Sequence, residues 1–353
     1  FTILLLTNDP APDIQTLAWE KRIYTTRQVQ FISDRIGWAL VNDSSGKHAA
    51  TLFVTADAGI SWHDSATAEV LAAIAEEEAR LEQFMMEAKM YPSEETALRA
   101  FSSDWMLWPD TAAPGDAVFV RSSKPGSIEW QGATYTLQPF GAGFYTYLPI
   151  PASTKAGKYT IGDQTLTVTA VKFPVQRLTV SQQMESMRRD TERIQADQER
   201  VNEARSKSAP EFLFSEAFMV PLEGRLSTPF GFTRYINGQY SGSHMAMDIA
   251  APAGTPVVAA NDGVVLLADL LYLPGNTIYL DHGMGLVSQY SHLSEILVEE
   301  GEHVKKGQVI GLVGSTGFST GPHLHFTFFA HHIPVDPNLF FNTTPFHWME
   351  TDN

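Results

Sequence analysis

The sequence predicts a mainly β, multidomain protein, and three observations lead to this prediction. At 353 residues the chain exceeds the usual size of a single core. Short runs of Val, Ile, Tyr and Thr, broken by Gly and Pro, fill its middle. Similar runs return in the last third, after a charged segment with helical spacing. We therefore expect an N-terminal β hairpin with helices, a small middle β-sandwich and a C-terminal β domain.

Composition excludes several classes of function. The net charge of −16, from 24 basic and 40 acidic residues, argues against binding to nucleic acid and against adsorption to anionic membranes. The chain has no cysteine, which rules out a disulfide framework, a thiolate zinc site and a cysteine nucleophile. Hydrophobic residues make up 44% of the chain and charged residues 18%, as in a globular protein.

The opening run FTILLLTNDP is apolar but too short to span a bilayer. It is typical either of the remnant of an export signal or of a first strand. A membrane anchor upstream of Phe1 and the oligomeric state are left open by the sequence.

We assign residues 1–110 to an N-terminal β and helical region. Its segment TADAGISW, residues 55–62, resembles the Asp-box hairpin of sialidase-type propellers. In that motif the Asp, here Asp57, bonds to the turn backbone, and the Trp, here Trp62, packs beneath it. A propeller needs several blades and the chain has one such box, so we expect a single stabilised hairpin.

Residues 65–91 have helical spacing, with Glu76, Glu77 and Glu78 predicted to face solvent. The apolar positions of this helix are Val70, Ile74, Leu81, Phe84 and Ala88.

Residues 114–179 are predicted to form a small immunoglobulin-like β-sandwich, because short strand patterns alternate with turn signals there. Its aromatic residues fit either a sugar-binding platform or, as we expect, the sandwich core. They are Trp130, Tyr135, Phe144, Tyr145 and Tyr147.

Residues 180–210 are predicted to form a charged, solvated connecting helix. Thr179 and Gln182 fit a capping box at its start, and the segment ends at Ser-Ala-Pro.

Histidines concentrate in the last part of the chain: nine of the eleven lie at or beyond residue 244. Without cysteine, a zinc site needs His nitrogen and carboxylate oxygen. His323 and His325 would share one face of a strand, because side chains at i and i+2 point the same way. His244 is expected on a loop, and Asp248 at the start of a strand.

These residues, together with His292, support a mononuclear hydrolytic zinc site. A catalytic zinc keeps three protein ligands and an open position. Any further histidines can accept protons or stabilise an oxyanion. The residues alone do not say which histidines hold the metal.

Residues 224–339 resemble the lysostaphin and LytM type of zinc metallopeptidase, which cleaves peptide bonds in bacterial peptidoglycan. The resemblance rests on GRLSTPFGFTR, HMAMDIAAPAGTPVVAANDGVV, GNTIYLDHGMGLVSQYSHLS and VKKGQVIGLVGSTGFSTGPHLHF, in that order, followed by VDP. It implies a peptidase domain over residues 221–345, built as an antiparallel sheet or flattened barrel. It also implies a secreted or cell-envelope protein that acts on peptidoglycan peptides.

By position in these motifs, the resemblance implies one Zn²⁺ per chain, held by His244, Asp248 and His325. His292 and His323 would be the catalytic pair that activates water and stabilises the developing oxyanion. The family usually has Gly where this chain has Ala246, and the methyl group would strain the backbone only if that position needs a positive φ.

Two alternatives follow from the same segment. The stretch GVV…VEEGEHVKKGQVIGLVG resembles biotinyl and lipoyl carrier domains, but no Lys stands at the tip where a carrier is modified. The stronger alternative is a non-catalytic envelope protein that binds the wall or activates a cell-wall amidase. A latent enzyme, in which residues before about 220 cover the groove, is a third expectation.

The remaining histidines have simpler expected roles. His282 is predicted in a hairpin turn, and His303, His331 and His332 at the surface.

Overall fold

The computed structural model describes residues 17–19, 22–31, 33–43, 51–63 and 68–342. The opening FTILLLTNDP lies outside the described residues. The chain divides into two compact units, Phe1–Met85 and Met86–Asn353. Within the described ranges, no helix has the length and apolar character needed to cross a membrane.

The first unit contains a four-stranded antiparallel sheet in which strands adjacent in the chain pair with one another. The strands are β1 (Leu17–Trp19), β2 (Arg22–Phe31), β3 (Gly37–Asp43) and β4 (Thr51–Thr55). Its small core consists of Ala39, Val41, Phe53 and Trp62.

The Asp-box hairpin forms as predicted. Oδ1 of Asp57 accepts hydrogen bonds from Oγ1 of Thr55 at 2.8 Å and from the backbone N–H of Ser61 at 2.9 Å. Nε1 of Trp62 donates to the carbonyl of Gly59 at 3.0 Å, and the Trp62 ring is buried. The side chain of Asp57 therefore closes the turn locally, and the prediction of one stabilised hairpin is confirmed.

Two helices follow, α1 (Ala68–Ala88) and α2 (Glu94–Phe101). Glu77 is buried, and its carboxylate accepts from Nη2 of Arg80 at 2.6 Å, so the prediction that it faces solvent is wrong. An arginine three residues further along the helix supplies the partner that a buried carboxylate needs.

Nine strands occupy residues 105–168. They are β5 (Trp105–Trp108), β6 (Thr111–Ala112), β7 (Ala117–Ser122), β8 (Ser127–Trp130), β9 (Ala133–Thr136), β10 (Gln138–Phe140), β11 (Gly143–Pro149), β12 (Gly157–Ile161) and β13 (Gln164–Val168). They form a sheet of order β10-β11-β7-β5, a second of order β12-β13-β6, and the hairpin β8–β9. These strands begin before residue 114, and the sandwich limits at 114 and 179 stay predictions.

The aromatic side chains of this region are mostly core. Trp130, Tyr135, Tyr145 and Tyr147 are each at most 6% exposed, which leaves them unable to form an open sugar platform.

The charged segment forms two helices rather than one, α3 (Gln182–Met187) and α4 (Thr191–Arg205). Ser181 caps the first and Asp190 the second, each by accepting from a backbone N–H at 3.2 Å. The predicted capping box of Thr179 and Gln182 is therefore wrong, because Ser181 is the N-cap of α3. The prediction of a single helix is wrong because the Asp190 side chain starts a second one. Nor is the segment wholly solvated, because Val201 and Ala204 pack into a buried cluster with strand residues.

Fourteen further strands lie in the described residues between 175 and 335. They are β14 (Val175–Leu178), β15 (Arg225–Thr228), β16 (Phe232–Ile236), β17 (Gln239–His244), β18 (Met247–Ala250), β19 (Pro256–Val258), β20 (Gly263–Leu271), β21 (Gly275–Gly283), β22 (Leu286–Leu293), β23 (Glu295–Ile296), β24 (His303–Val304), β25 (Val309–Leu312), β26 (His323–Ala330) and β27 (Ile333–Val335). A 3₁₀ helix, Pro337–Leu339, follows them.

These strands form three sheets. The largest has the order β15-β18-β26-β22-β21-β20-β24, with β27 paired to β26. Strands β19, β25 and β23 form a second sheet, and β14, β16 and β17 a third. Among the described strands, β15 and β24 end the large sheet without pairing to each other, so the domain is an open antiparallel sheet rather than a closed barrel.

The sandwich strands and the large sheet share one hydrophobic core. Tyr147 of β11 lies 6.2 Å from Phe340, measured between ring centroids, and Phe119 of β7 lies 6.3 Å from Phe212. A shared core of this kind opposes relative motion of the two regions.

Two histidines are placed differently from the prediction. His282 is fully buried near the end of β21, with Nδ1 2.7 Å from the carbonyl of Asp262 and Nε2 2.8 Å from Oγ of Ser288. His331 contacts Oγ1 of Thr146 at 3.0 Å and so lies against the sandwich rather than free at the surface.

Candidate active site

Strand β26 is the centre of the site. His325 lies directly opposite Asp248 of β18 on one side and Ser291 of β22 on the other. His323, two residues earlier, shares its face, as the spacing predicts. Leu324, between them, is fully buried on the opposite face of β26. The strand thus presents imidazoles on one side and core on the other.

His244 and Asp248 reach the same point from two short strands. His244 is the last residue of β17, where a loop was predicted, and Asp248 is the second residue of β18. Ala246, between these strands, is buried and is not among the described residues with positive φ. Its methyl group therefore imposes no backbone strain.

Three atoms that could bind a metal converge. Oδ1 of Asp248 lies 3.0 Å from Nε2 of His244 and 2.9 Å from Nδ1 of His325, and the two nitrogens are 3.2 Å apart. A tetrahedral zinc with bonds of 2.0–2.1 Å implies ligand atoms roughly 3.3 Å apart. The observed triangle is slightly tighter than that, so these residues fit a metal ion after a small outward shift. Among the described residues, this is the one His, Asp and Glu group placed to hold a metal.

The protonation states suit a metal. Burial lowers the pKa of His244 to about 4, so its imidazole is neutral at pH 7, as ligation requires. Burial alone would raise the pKa of Asp248, but hydrogen bonds from His244 and His325 outweigh it and hold this pKa far below its usual value. Nδ1 of His244 is buried without a hydrogen-bond partner in the described structure, so the contact of Nε2 with Asp248 orients this ring.

His292 and His323 lie beside the triangle. Their ring centroids are 4.8 Å apart, and that of His292 is 5.7 Å from that of His325. Nδ1 of His292 is 2.8 Å from the carbonyl of Thr316, and Nδ1 of His323 is 2.8 Å from the carbonyl of Gly321. A carbonyl only accepts, so Nδ1 of each ring carries a proton and donates it to that carbonyl, which leaves Nε2 of each ring directed away from it.

His292 also has an uncommon backbone. Its φ of 64° is left-handed, which few non-glycine residues adopt outside functional or tightly constrained positions. Burial, together with the neighbouring His325 and His323, lowers the pKa of His292 to about 3, so the ring is neutral at pH 7.

Two side chains that touch the site, and a third that touches one of them, were not predicted from the sequence. Nη2 of Arg234 lies 3.0 Å from Oδ2 of Asp248, and Nε of Arg234 is 2.7 Å from Oε1 of Gln176. Oγ1 of Thr327 lies 3.2 Å from Nε2 of His325. Thr327 follows His325 at i+2 and could have been found from strand alternation. Gln176 carried no local signal.

The structure thus brings together all five residues singled out from the sequence, while the role of each stays a prediction. Peptidase family M23 matches residues 242–337. The Vibrio cholerae peptidoglycan DD-endopeptidase ShyC is 42% identical over 115 residues, which are 32% of this chain and 26% of that protein. The Neisseria meningitidis DD-carboxypeptidase/endopeptidase Mpg is 42% identical over 113 residues, with the same 32% and 26% coverage.

A crystal structure of a Pseudomonas aeruginosa protein assigned to peptidase M23 superposes with a TM-score of 0.50 at 27% identity. The superposed region covers 69% of this chain and 97% of the Pseudomonas aeruginosa chain. The curated relatives are matched over a small part of their length, 26% for both ShyC and Mpg. Residues 242–337 are therefore a domain of peptidase family M23.

Proposed function

We propose that the C-terminal domain is a zinc-dependent endopeptidase that hydrolyses peptide bonds in bacterial peptidoglycan stems or cross-bridges. The observation that carries the proposal is the convergence of two imidazole nitrogens and one carboxylate oxygen within 3.2 Å of one another, beside two more imidazoles. Three protein ligands with further proton-accepting groups nearby are typical of a hydrolytic site.

His244, Asp248 and His325 would hold the metal. Zinc bound there would act as a Lewis acid on the scissile carbonyl and would make hydroxide available near pH 7. The single negative charge of Asp248 would leave the site with a net charge of +1, a cationic point in an acidic protein.

The two other histidines divide the proton chemistry. His292 is the more buried, so a positive charge there is costly, and its ring stays neutral. We assign proton acceptance to Nε2 of His323, because its Nδ1 already donates to the carbonyl of Gly321. Once protonated, His323 can donate to the developing oxyanion or to the leaving nitrogen.

The names of the relatives support the substrate class. ShyC is a peptidoglycan DD-endopeptidase, and Mpg a DD-carboxypeptidase and endopeptidase. For this chain we therefore propose peptidoglycan peptides as substrate and the cell envelope as location. Because the chain has a net charge of −16, an acidic cell wall would not attract it as a whole. We therefore assign substrate recognition to contacts at the site.

We further propose that residues ahead of the peptidase domain keep the enzyme latent. The carboxamide of Gln176 comes from that part of the chain, but it bonds to Arg234 and Thr228 rather than to the ligand atoms. A chain that starts at residue 64, and so keeps α1, would cut faster than the full chain if the preceding residues are inhibitory. Equal rates would exclude inhibition by residues 1–63.

The test of the enzyme proposal is metal content together with hydrolysis of purified peptidoglycan. The full chain should contain one zinc, release peptide fragments, lose this activity on chelation and regain it with Zn²⁺. A metal-free chain that leaves walls from several bacterial types uncut would overturn the proposal. The alternative, a protein that binds the wall or activates an amidase, would then take its place.

A further inference from the structure

Asp248 uses its two carboxylate oxygens for different purposes. Oδ1 faces the nitrogens of His244 and His325, whereas Oδ2 lies 3.0 Å from Nη2 of Arg234. A carboxylate with one oxygen engaged in this way offers a metal only the other oxygen.

Arg234 is in turn held by a residue of another strand. Its Nε donates to Oε1 of Gln176 at 2.7 Å, and Nε2 of Gln176 donates to Oγ1 of Thr228 at 3.1 Å. Nε and Nη2 of Arg234 therefore each donate to a defined acceptor, Gln176 and Asp248 respectively. The arginine side chain is 22% exposed, so it is held mainly inside the protein.

The register explains why these four residues meet. Gln176 lies directly opposite Arg234 in the parallel pair of β14 and β16. Thr228 lies directly opposite Asp248 in the antiparallel pair of β15 and β18. The hydrogen bonds from Gln176 to Thr228 and from Arg234 to Asp248 therefore join two sheets at the site.

We propose that Arg234 and Gln176 are positioning residues that hold Asp248 to one-oxygen ligation and so keep a coordination position open. The proposal rests on the proposed metallopeptidase function. Both residues precede the segment 242–337 that matches the family, and Gln176 lies on β14, ahead of helices α3 and α4. The strand that leaves the sandwich is thus part of the active site.

The test uses the full chain and measures metal binding rather than hydrolysis alone. Zinc affinity is measured by competition with a chromophoric chelator, and coordination number by the visible spectrum of the Co²⁺ form. The variants are Arg234→Gln, Arg234→Lys and Gln176→Ala. Val175→Ala is the matched control, since Val175 is adjacent on β14 and 54% exposed.

Arg234→Gln should weaken zinc affinity about 10- to 100-fold and should shift the Co²⁺ spectrum toward the weaker bands of a higher coordination number. Arg234→Lys should recover part of the affinity, because it restores the charge but not the fork. Gln176→Ala should change both quantities in the same direction by about tenfold or less. Val175→Ala should change neither.

The outcomes separate the two proposals. If the wild-type chain binds no metal, the proposed function fails. If it binds zinc, and Arg234→Lys and Gln176→Ala match it in affinity and spectrum, the positioning role is wrong while the metallopeptidase proposal stands. Should Arg234→Gln fail to fold, these two milder variants decide the question.

Discussion

Nδ1 of His325 lies 2.9 Å from Oδ1 of Asp248, although 77 residues separate the two in the chain. The contact exists because the residues are directly opposite each other on β26 and β18. A slip of one residue between these strands would turn one of the two side chains to the other face of the sheet. The site therefore depends on strand register as much as on residue type.

His323→Ala should retain zinc but lower peptidoglycan hydrolysis about 100- to 10,000-fold, because it removes the proposed proton acceptor and leaves the three ligands in place. Metal analysis and quantification of released peptides check this. His303→Ala, at an exposed position on β24, is the control and should cut at the wild-type rate. Loss of zinc from His323→Ala would instead make His323 a ligand.

Gly275→Ala should reduce hydrolysis at least about tenfold while leaving zinc bound, because losses of this size follow small misplacements of reacting groups. Gly275 has a φ of 71°, and a Cβ there would collide with Thr316, whose carbonyl accepts from Nδ1 of His292. Gly238→Ala is the matched control. Its φ is 79°, but its Cβ would meet no heavy atom of the described structure within 4 Å.

The two glycine variants share the backbone strain of a positive φ, about 1 kcal/mol of stability, and Gly275→Ala adds the cost of the collision with Thr316. Only Gly275→Ala should also lose activity. Equal activity in the two variants would show that the Thr316 carbonyl does not need to stay in place for catalysis.

Arg121→Ala should lower the free energy of unfolding by about 3 to 5 kcal/mol, because it leaves the carboxylate of Glu87 buried without its cation. Nε of Arg121 lies 2.8 Å from Oε1 of Glu87, and the two side chains are 2% and 0% exposed. Urea unfolding of the full chain measures the change.

The control for this prediction is Lys124→Ala. Lys124 lies 3.8 Å from a carboxylate oxygen of Asp104, and the two side chains are 78% and 62% exposed. Its loss should change stability by less than about 1 kcal/mol. A comparable effect of both substitutions would argue against a special cost for the buried pair.

The stability of the chain should fall as the pH drops from about 6.5 to about 4. Complete burial lowers the pKa of His282 from 6.5 to about 4. The unfolded chain therefore binds more protons than the folded chain in this window, and stability is full above it. Each such group lowers the free energy of unfolding by up to about 1.4 kcal/mol for each pH unit of acidification within this window.

His282→Gln should reduce the slope of the unfolding free energy against pH by up to about 1.4 kcal/mol per pH unit, the equivalent of one proton. His303→Gln, at an exposed position on β24, should leave that slope unchanged. Unfolding free energies measured between pH 6.5 and 4.5 provide the check. An unchanged slope in His282→Gln would place the acid sensitivity in the other buried histidines, whose pKa values burial also lowers. These are His244, His292 and His331.

Local pattern predicted strand alternation and one turn motif correctly, but it failed for the exposure of Glu77 and for the first residue of α3. Strand alternation placed His323 and His325 on one face, and the Asp57 hairpin formed as its motif predicts. The single helix predicted over residues 180–210 is two helices, because the side chains of Ser181 and Asp190 each cap a helix start, which the apolar periodicity does not indicate.

The sequence by itself determined the mainly β class and the five side chains that gather at the site, because residue type and short spacing carry that information. Only the tertiary structure decided that Arg234 engages Asp248, that Gln176 holds Arg234, and that His282 is buried. Gln176 and Arg234 are 58 residues apart and meet through a parallel strand pair. Pairing between distant strands depends on the register of whole sheets, and no short stretch of sequence encodes it.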